Sequence, residues 1–543
     1  MHKLLTHFLL ISAFLFTSTP SHSEVIENYS SKSFFVKMKT ELGVSEATGR
    51  ISTHTGIKSI DEKNNKYRIK SIKKVFELNN GDKAVYDELE MSRIYLFTLD
   101  DNNIFDVKSI VKSYSDDENT TYSELNYIGR AAGKKGNDYI ELNSLFNVPS
   151  DEMFYRQWYL SNDGSITPSG RRGASRVGAD INMLRAWEIE KGSKDIIVAI
   201  LDSGIRDDHP DLRDRIWYNT DEIPNNGIDD DRNGYVDDYK GWDFAYDDNR
   251  PNDGFGHGTN IASVIGASTN NNIGFAGVDQ ACRLMNLKNL RDDNYGEYYW
   301  WSESIKYAVD NGADVINMSE GGDDYTETLQ TAVNYALKQG KFIVAAMMNK
   351  GDDRDYYPAS FKGVFAVGAT DTDDNRCLSF SWGGGSCYGD HIAVVAPGNK
   401  IYGLDYESLS DYSVYWSGTS QSTAIVSGLA SLLLAQNTNR TIKDLDRIIK
   451  STARDRVGDS GEDVKGWDRY YGYGRIDAYL ALMYDSSPEI QQKIKEMDQE
   501  TKRRKNDKTK TKSDDQGAKA DDKINPNKNA DAKTKSKPAN PDN

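Results

Sequence analysis

Between residues 195 and 397 the chain repeats one pattern: a short apolar run, a glycine-containing turn, then apolar positions at helical spacing. Asp195–Leu201 (Asp-Ile-Ile-Val-Ala-Ile-Leu) is apolar at successive positions, as a strand buried on both faces must be. Leu284–Leu290, Asp314–Met318, Phe342–Ala346, Val364–Gly368 and Ile392–Ala396 are runs of the same kind. Helices are predicted at His257–Gly266, Tyr299–Asn311 and Thr326–Gln339. This alternation predicts an α/β sandwich with a mostly parallel central sheet, a design that gathers chemistry at the C-terminal ends of its strands. A further helix starts near Ser420 and runs to Gln436. Its apolar residues recur from Ile425 at near-helical spacing, and its small residues allow close packing. Ile442–Ser451 and Ala478–Met483 predict two more helices, and short strands are expected between Leu404 and Val414.

Residues 24–150 have a different texture. Lys32–Lys39, Tyr67–Ile72, Val75–Leu78 and Ser92–Thr98 show strand-like alternation or β-branched and aromatic clusters. Asp101–Ser113 suits a helix and Glu124–Arg130 a last strand. Lys, Asp and Asn are abundant, so a separate small α+β unit is expected, joined by Asn147–Asp151 to the α/β region. At the start, His2 and Lys3 precede an apolar run from Leu9 to Phe16 and small residues up to Ser23. That is the pattern of a secretory signal peptide cut after Ser23. The run is too short and too interrupted for a membrane span. Beyond Ser487, Ile490–Lys505 suits a highly charged helix, and from Asp507 to Asn543 there is almost nothing to bury, so a disordered tail is expected. The resulting division is 1–23, 24–150, 151–486 and 487–543.

The 543 residues carry a formal net charge of −17, which favours solubility and disfavours nonspecific binding to nucleic acid. Three cysteines do not make a disulfide scaffold. Cys377 and Cys387 flank a glycine-rich turn and allow one local bridge, while Cys282 reads as a buried thiol.

Three ends of predicted elements carry candidate chemistry. Asp202 ends a buried strand and is followed by Ser203-Gly204; a carboxylate there can orient a histidine. His257 lies between Gly256 and Gly258 at a helix start, where glycines permit close backbone approach. Asn349 follows the strand Phe342–Ala346, and its amide can donate to a developing oxyanion. Gly418-Thr419-Ser420 puts a serine among free backbone N–H groups at a helix start, a setting that suits a nucleophile as well as an ordinary cap. An acidic stretch, Asp229 to Asp238, places Asp229, Asp231, Asn233 and Asp237 at positions 1, 3, 5 and 9 with Gly234 at position 6, the spacing of a Ca²⁺ loop. Position 12 is Lys240 rather than Glu, so Asp221, Glu222, Asp243 or Asp247 must complete any shell.

Taken together, Asp202-Ser203-Gly204, His257-Gly258-Thr259 and Gly418-Thr419-Ser420 resemble, in order, the three catalytic motifs of the subtilisin-like serine peptidases. Tyr357-Pro358-Ala359-Ser360, Ala366-Val367-Gly368-Ala369, Ala396-Pro397-Gly398 and Gly472-Tyr473-Gly474-Arg475 extend the resemblance over residues 150–483. It implies a three-layer subtilisin-like fold, Asp202 as orienting acid, His257 as general acid/base, Ser420 as nucleophile and Asn349 as oxyanion donor. It implies that Val315–Gly322 pairs with the substrate backbone. Residues 24–150 then resemble the family's inhibitory, chaperone-like propeptide, with processing between Arg130 and Asp151. Protein or peptide substrates, the propeptide itself, a Ca²⁺ ion, a monomer with no membrane span, and a secreted, periplasmic or cell-surface location are the further expectations.

The chain departs from the family in two places. Gln421-Ser422-Thr423-Ala424-Ile425 follows the serine where the family usually has Met-Ala-Thr-Pro-His. Around the specificity pocket formed by Ser319, Glu320, Gly321 and Met348, Glu320 replaces the usual Leu and Met348 the usual Gly. A preference for Lys/Arg, drawn by Glu320, and a pocket narrowed by Met348 are the two expectations. A catalytically weak peptide-binding protein, and a peptidase efficient only on its own propeptide, are the competing functional classes.

Overall fold

The computed structural model describes residues 28–43, 51–78, 81–137, 148–164 and 175–486, with 488 and 492. The expected signal peptide and almost all of the charged tail lie outside the described residues.

Seven parallel strands form the central sheet, in the order Ile392–Pro397, Phe365–Thr370, Phe342–Ala346, Val315–Met318, Ile197–Asp202, Arg283–Lys288 and Trp242–Asp243. The five long apolar strands are buried along nearly their whole length, which explains why their sequences lack polar alternation. One face packs on the helices His257–Gly266 and Thr419–Gln436, whose apolar side chains share a core with Val198, Ile200, Val344 and Val367. The other face packs on Tyr298–Asp310 and Glu327–Lys338 through Ala199, Leu201, Ile316 and Ile343. The result is the three-layer α/β arrangement that the sequence implies.

The N-terminal residues build their own antiparallel sheet. Thr120–Ala131 pairs with Tyr29–Met38, which pairs with Ile94–Leu99, and that with Ile69–Lys74. Strand alternation gives this sheet two apolar faces. Phe34, Val36 and Met38 close a core with Ile60, Ile110 and Tyr114 from the helices Lys58–Lys66 and Val107–Ser115. Phe35, Ile94 and Leu96 face the other way, into the apolar cluster that holds Tyr298, Leu329 and Val333. At this junction Glu124 reaches the start of the helix Glu327–Lys338: its two carboxylate oxygens accept from Glu327 N, Thr328 N and Thr328 Oγ1 at 2.7–2.9 Å. The carboxylate thus satisfies orphan N–H groups and meets the positive end of the helix dipole.

Several local expectations need correction. Val75–Leu78 is irregular rather than a strand, and Lys58–Lys66 and Lys83–Glu88 are helices. Between Leu404 and Ser413 the chain is coil, flanked by the short strands Ile401–Tyr402 and Val414–Ser417. Cys282 is a buried thiol as expected, whereas Cys387 is a free thiol, so the local bridge to Cys377 is not formed.

Candidate active site

Asp202 and Met318 end adjacent central strands, and the site opens at their C-terminal edge. His257 occupies the first turn of its helix, with Nδ1 2.8 and 2.9 Å from the two oxygens of Asp202. Both side chains are fully buried. The flanking glycines have separate reasons. Gly256 holds φ at +96°, where a Cβ would press on Tyr406, and a Cβ on Gly258 would collide with the carbonyl of Gly204. Trp416 closes the other side of the imidazole, edge to face at 5.1 Å.

The loop before His257 is pinned by Asp253, a residue outside the three catalytic motifs. Its Oδ1 accepts from Ser203 Oγ, Phe255 N and Gly256 N, and its Oδ2 from Thr259 N and Thr259 Oγ1. Ser203 Oγ in turn accepts from Gly258 N at 2.9 Å. One buried carboxylate therefore ties the Asp202 strand end to the His257 helix start. Burial raises its pKa, and these donors oppose the rise.

Ser420 begins the buried helix Thr419–Gln436. In this conformation its Oγ donates to the carbonyl of Ser319 at 2.9 Å, and Ser319 Oγ donates back to the carbonyl of Ser420 at 3.0 Å. Asn349 Oδ1 accepts from Thr419 N at 2.9 Å and from Thr419 Oγ1 at 3.1 Å. Since the peptide N–H can only donate, the amide's orientation is settled and Nδ2 is left to face the cleft. A Cβ on Gly418 would meet that Nδ2 at 3.0 Å.

A segment of the same chain fills the cleft. Gly129 and Ile128 pair with Gly296 and Glu297 on one side, while Arg130 and Ala131 pair with Gly321 and Glu320 on the other. Ala132 N donates to Ser319 O at 2.9 Å, and Ala132 O accepts from Ser420 N at 3.3 Å. The next residues, Lys134–Asn137, continue as a strand against Val414–Ser417. The peptide bond between Ala132 and Gly133 therefore lies across the site. A Cβ on Gly133 would come 3.0 Å from His257 Nε2, an atom that is buried and has no hydrogen-bond partner among the described residues.

The four pocket residues lie together. Ser319, Glu320 and Gly321 form the edge that pairs with the cleft segment, and Met348 Sδ packs against Gly321, where a Cβ would stand only 2.7 Å away. Glu320 is fully buried, and its Oε1 accepts from Asn289 Nδ2 at 2.9 Å. Burial, with the charge of Asp202 nearby, pushes its carboxyl well above the usual carboxylate range. Its other oxygen, Oε2, is buried with no hydrogen-bond partner among the described residues. Gln421 donates to Asn260 Oδ1 at 3.3 Å, and Ser422 Oγ donates to Ala396 O and Pro397 O, so the atypical residues after Ser420 fit within the helix packing.

The acidic loop gathers a different set of oxygens from the set that its spacing suggests. Glu222, Asp231 and Asp238 each offer a carboxylate oxygen within 4.8 Å of the others. Asp229 accepts from Asn233 N and Gly234 N, and Asp237 from Asn226 N and Gly227 N, just as Glu222 accepts from the backbone N–H groups of Asp230, Asp231 and Asp237. Asn233 Nδ2 bridges Asp231 and Asp238. Three close carboxylates in a loop of oxygen donors fit a hard divalent cation.

This geometry sits in a chain whose residues 193–474 match the model of the subtilase family, and the chain belongs to that family of serine peptidases. It is 34% identical over 330 residues to thermitase of Thermoactinomyces vulgaris, covering 60% of this chain and 100% of that protein. It is 33% identical over 350 residues to a thermophilic serine proteinase of Bacillus sp. strain AK1, covering 64% of this chain and 73% of that one. The halolysin-like extracellular serine protease Nep of Natrialba magadii is 30% identical over 358 residues, 64% of this chain and 56% of its own. Among solved structures, fervidolysin from Fervidobacterium pennivorans superposes with a TM-score of 0.57 at 21% identity; the match spans 84% of this chain and 61% of that one. At that identity the likeness shows the fold alone. Among the described residues no helix is long and apolar enough to cross a membrane.

Proposed function

We propose that the protein is an endopeptidase made as a zymogen, with Ser420 as nucleophile, His257 as general base and acid, and Asp202 as the group that holds the imidazole. The observation that carries this reading is the Ala132–Gly133 bond, held across these side chains by backbone pairing on both sides. Ser420 Oγ leaves the Ser319 carbonyl, attacks the carbonyl carbon of Ala132, and gives its proton to His257 Nε2. The oxyanion is met by Ser420 N–H and Asn349 Nδ2, donors already fixed in place. Collapse breaks the bond to Gly133, whose nitrogen takes the proton from Nε2. Water then attacks the acyl ester at Ala132, with His257 again as base, and releases the carboxylate. Residues 24–132 accordingly act as the propeptide, residues 151–486 hold the peptidase fold, and the first 23 residues direct secretion.

Glu222, Asp231 and Asp238 would hold a Ca²⁺ ion, whose charge would stabilise the acidic loop and take no part in bond cleavage. Intact-mass measurement and N-terminal sequencing test the central claim. The wild-type chain should begin at Gly133 and react with an active-site serine probe, while Ser420→Ala should remain unprocessed and unlabelled. A catalytically weak scaffold, the alternative suggested by Gln421 and by the Ser420–Ser319 hydrogen bond, predicts an unprocessed, unlabelled wild-type chain.

A further inference from the structure

Resting on that active-site reading, we propose that Trp301 and Met348 restrict the cleft to extended glycine- and alanine-rich segments. These carry glycine at the fourth residue before the scissile bond and a small residue immediately before it.

The fourth position is occupied here by Gly129, which pairs with Gly296. A Cβ on Gly129 would overlap three carbons of the Trp301 ring, so the place where a larger side chain would point is already filled. The ring cannot easily give way. It is fully buried, stacks on Tyr298 at a centroid distance of 4.9 Å, and abuts Gly296, where a Cβ would lie 2.7 Å from Nε1. Its N–H has no hydrogen-bond partner among the described residues, so packing alone holds it.

The residue before the bond, Ala132, is nearly fully buried in the same apolar cluster as Met318, Met347 and Met348. Met348 presses its sulfur on Gly321, at the edge that receives the substrate. It holds φ at +73°, a left-handed conformation that a side chain adopts at a cost and that glycine would accept freely. A methionine kept there blocks space that glycine would leave open. After the bond, a Cβ on Gly133 would stand 3.0 Å from His257 Nε2 and 3.2 Å from Gln421 Oε1, so a small residue is favoured there as well. Arg130, by contrast, is exposed and places no steric demand. The segment Gly129-Arg130-Ala131-Ala132-Gly133 is thus the shape that this cleft accepts, and other good substrates share that shape.

The test uses the processed protein and fluorogenic peptides built on Gly-Arg-Ala-Ala-Gly-Lys. Replacing the first Gly by Leu, or the second Ala by Phe, should lower kcat/KM by about 10- to 100-fold or more. Trp301→Ala should recover cleavage of the Leu peptide, and Met348→Gly that of the Phe peptide, each without helping the other. Equal cleavage of all three peptides by the wild-type protein overturns the proposal, as does the absence of either paired rescue. If added peptides are cut too slowly to measure, self-processing gives the readout. Gly129→Leu should stall it and Gly129→Leu/Trp301→Ala should restore it, and unimpeded processing of Gly129→Leu overturns the proposal. A wild-type chain that neither processes nor labels at Ser420 defeats the active-site reading itself, and the specificity falls with it. A chain that labels and processes but ignores the Gly-to-Leu change defeats only the specificity.

Discussion

The strand that threads the cleft is held in two different ways on either side of the Ala132–Gly133 bond. Upstream, residues 128–132 are paired along two edges, donate from Ala131 N to Asn294 Oδ1 at 2.7 Å, and are enclosed by Trp301, Met348 and the Ser319 carbonyl. Downstream, residues 134–137 pair along one edge and use side-chain charge: Lys135 Nζ lies 2.8 Å from Asp405 and 3.3 Å from Glu407, and Lys134 Nζ sits 4.9 Å from the centre of the Trp382 ring. Recognition upstream is therefore a matter of shape and backbone hydrogen bonds. Downstream, partly solvated charge contacts are added to the backbone ladder, and that part of the binding is sensitive to salt. If Ser420 cuts after Ala132, such a division would let the downstream segment leave the cleft first while the acyl half stays docked.

The largest expected effect lies at the junction of the two halves. Ser420→Ala should cut the rate of processing by at least ~10⁴-fold, leaving both halves of the strand covalently joined in the purified protein. Next, Asn349→Ala should slow processing by about 10²- to 10³-fold with the N-terminus still at Gly133, since an oxyanion donor is lost together with the acceptor for Thr419 N and Oγ1. A changed cleavage position would mean that Asn349 positions the strand instead.

The upstream anchor should depend on pH through Glu124, which lies on the same strand. Burial raises its carboxyl from 4.5 to about 7, against the N–H and O–H donors that favour the charged form. A docked pKa above the free one means that docking favours the protonated acid. Stability from this group is fully present below about pH 4.5 and lost as pH rises through 7, by up to about 3 kcal/mol. Melting of the Ser420→Ala chain at pH 5 and pH 8 should show a slope of this sign, and Glu124→Gln should reduce it without abolishing it, because burial also raises Asp211 and Asp243 to about 7.

The acidic loop connects to the upstream half through one helix: Tyr307 donates to Asp238, and Trp301 of the same helix faces Gly129. If Glu222, Asp231 and Asp238 hold Ca²⁺, chelation should destabilise the processed protein by about 3 kcal/mol at an ion concentration 100 times the dissociation constant. An Asp231→Asn/Asp238→Asn chain should melt at the same temperature with or without chelator. The smallest effect belongs downstream. Lys135→Ala should change the processing rate only severalfold, a contribution of about 1 kcal/mol or less, and 1 M salt should erase the difference. A larger, salt-independent loss would collapse the contrast between the two halves.

Much of the fold was legible because buried parallel strands carry a run of apolar residues that little else produces. The helices Lys58–Lys66 and Lys83–Glu88 were not, since sequences such as Lys-Ser-Ile-Asp-Glu-Lys-Asn-Asn-Lys bury few apolar side chains and rely on docking. Asp202, His257, Asn349 and Ser420 could be picked out because each ends or begins an element in a glycine-rich setting. Asp253 carried a readable signal too, three and four residues before Gly256-His257, but only its five hydrogen bonds disclose what it does. In the acidic loop, spacing drew attention to Asp229, Asp231, Asn233 and Asp237; the fold sets Glu222 and Asp238 beside Asp231, while Asp229, Asp237 and Glu222 alike accept from backbone amides.

By itself the sequence determined the layered α/β architecture, the family and the residue types on which a nucleophilic mechanism would depend. These follow from local periodicity and from short motifs, whose information lies within a few residues. Only the tertiary structure decided which bond of the chain lies against Ser420, that Glu320 is buried on Asn289 rather than open to a base, and that Trp301 stands where a side chain on residue 129 would go. These are contacts between residues more than thirty positions apart, or, for Gly129 and Trp301, more than 170. Which side chain occupies a shared space depends on how distant segments pack together, and no local pattern records that.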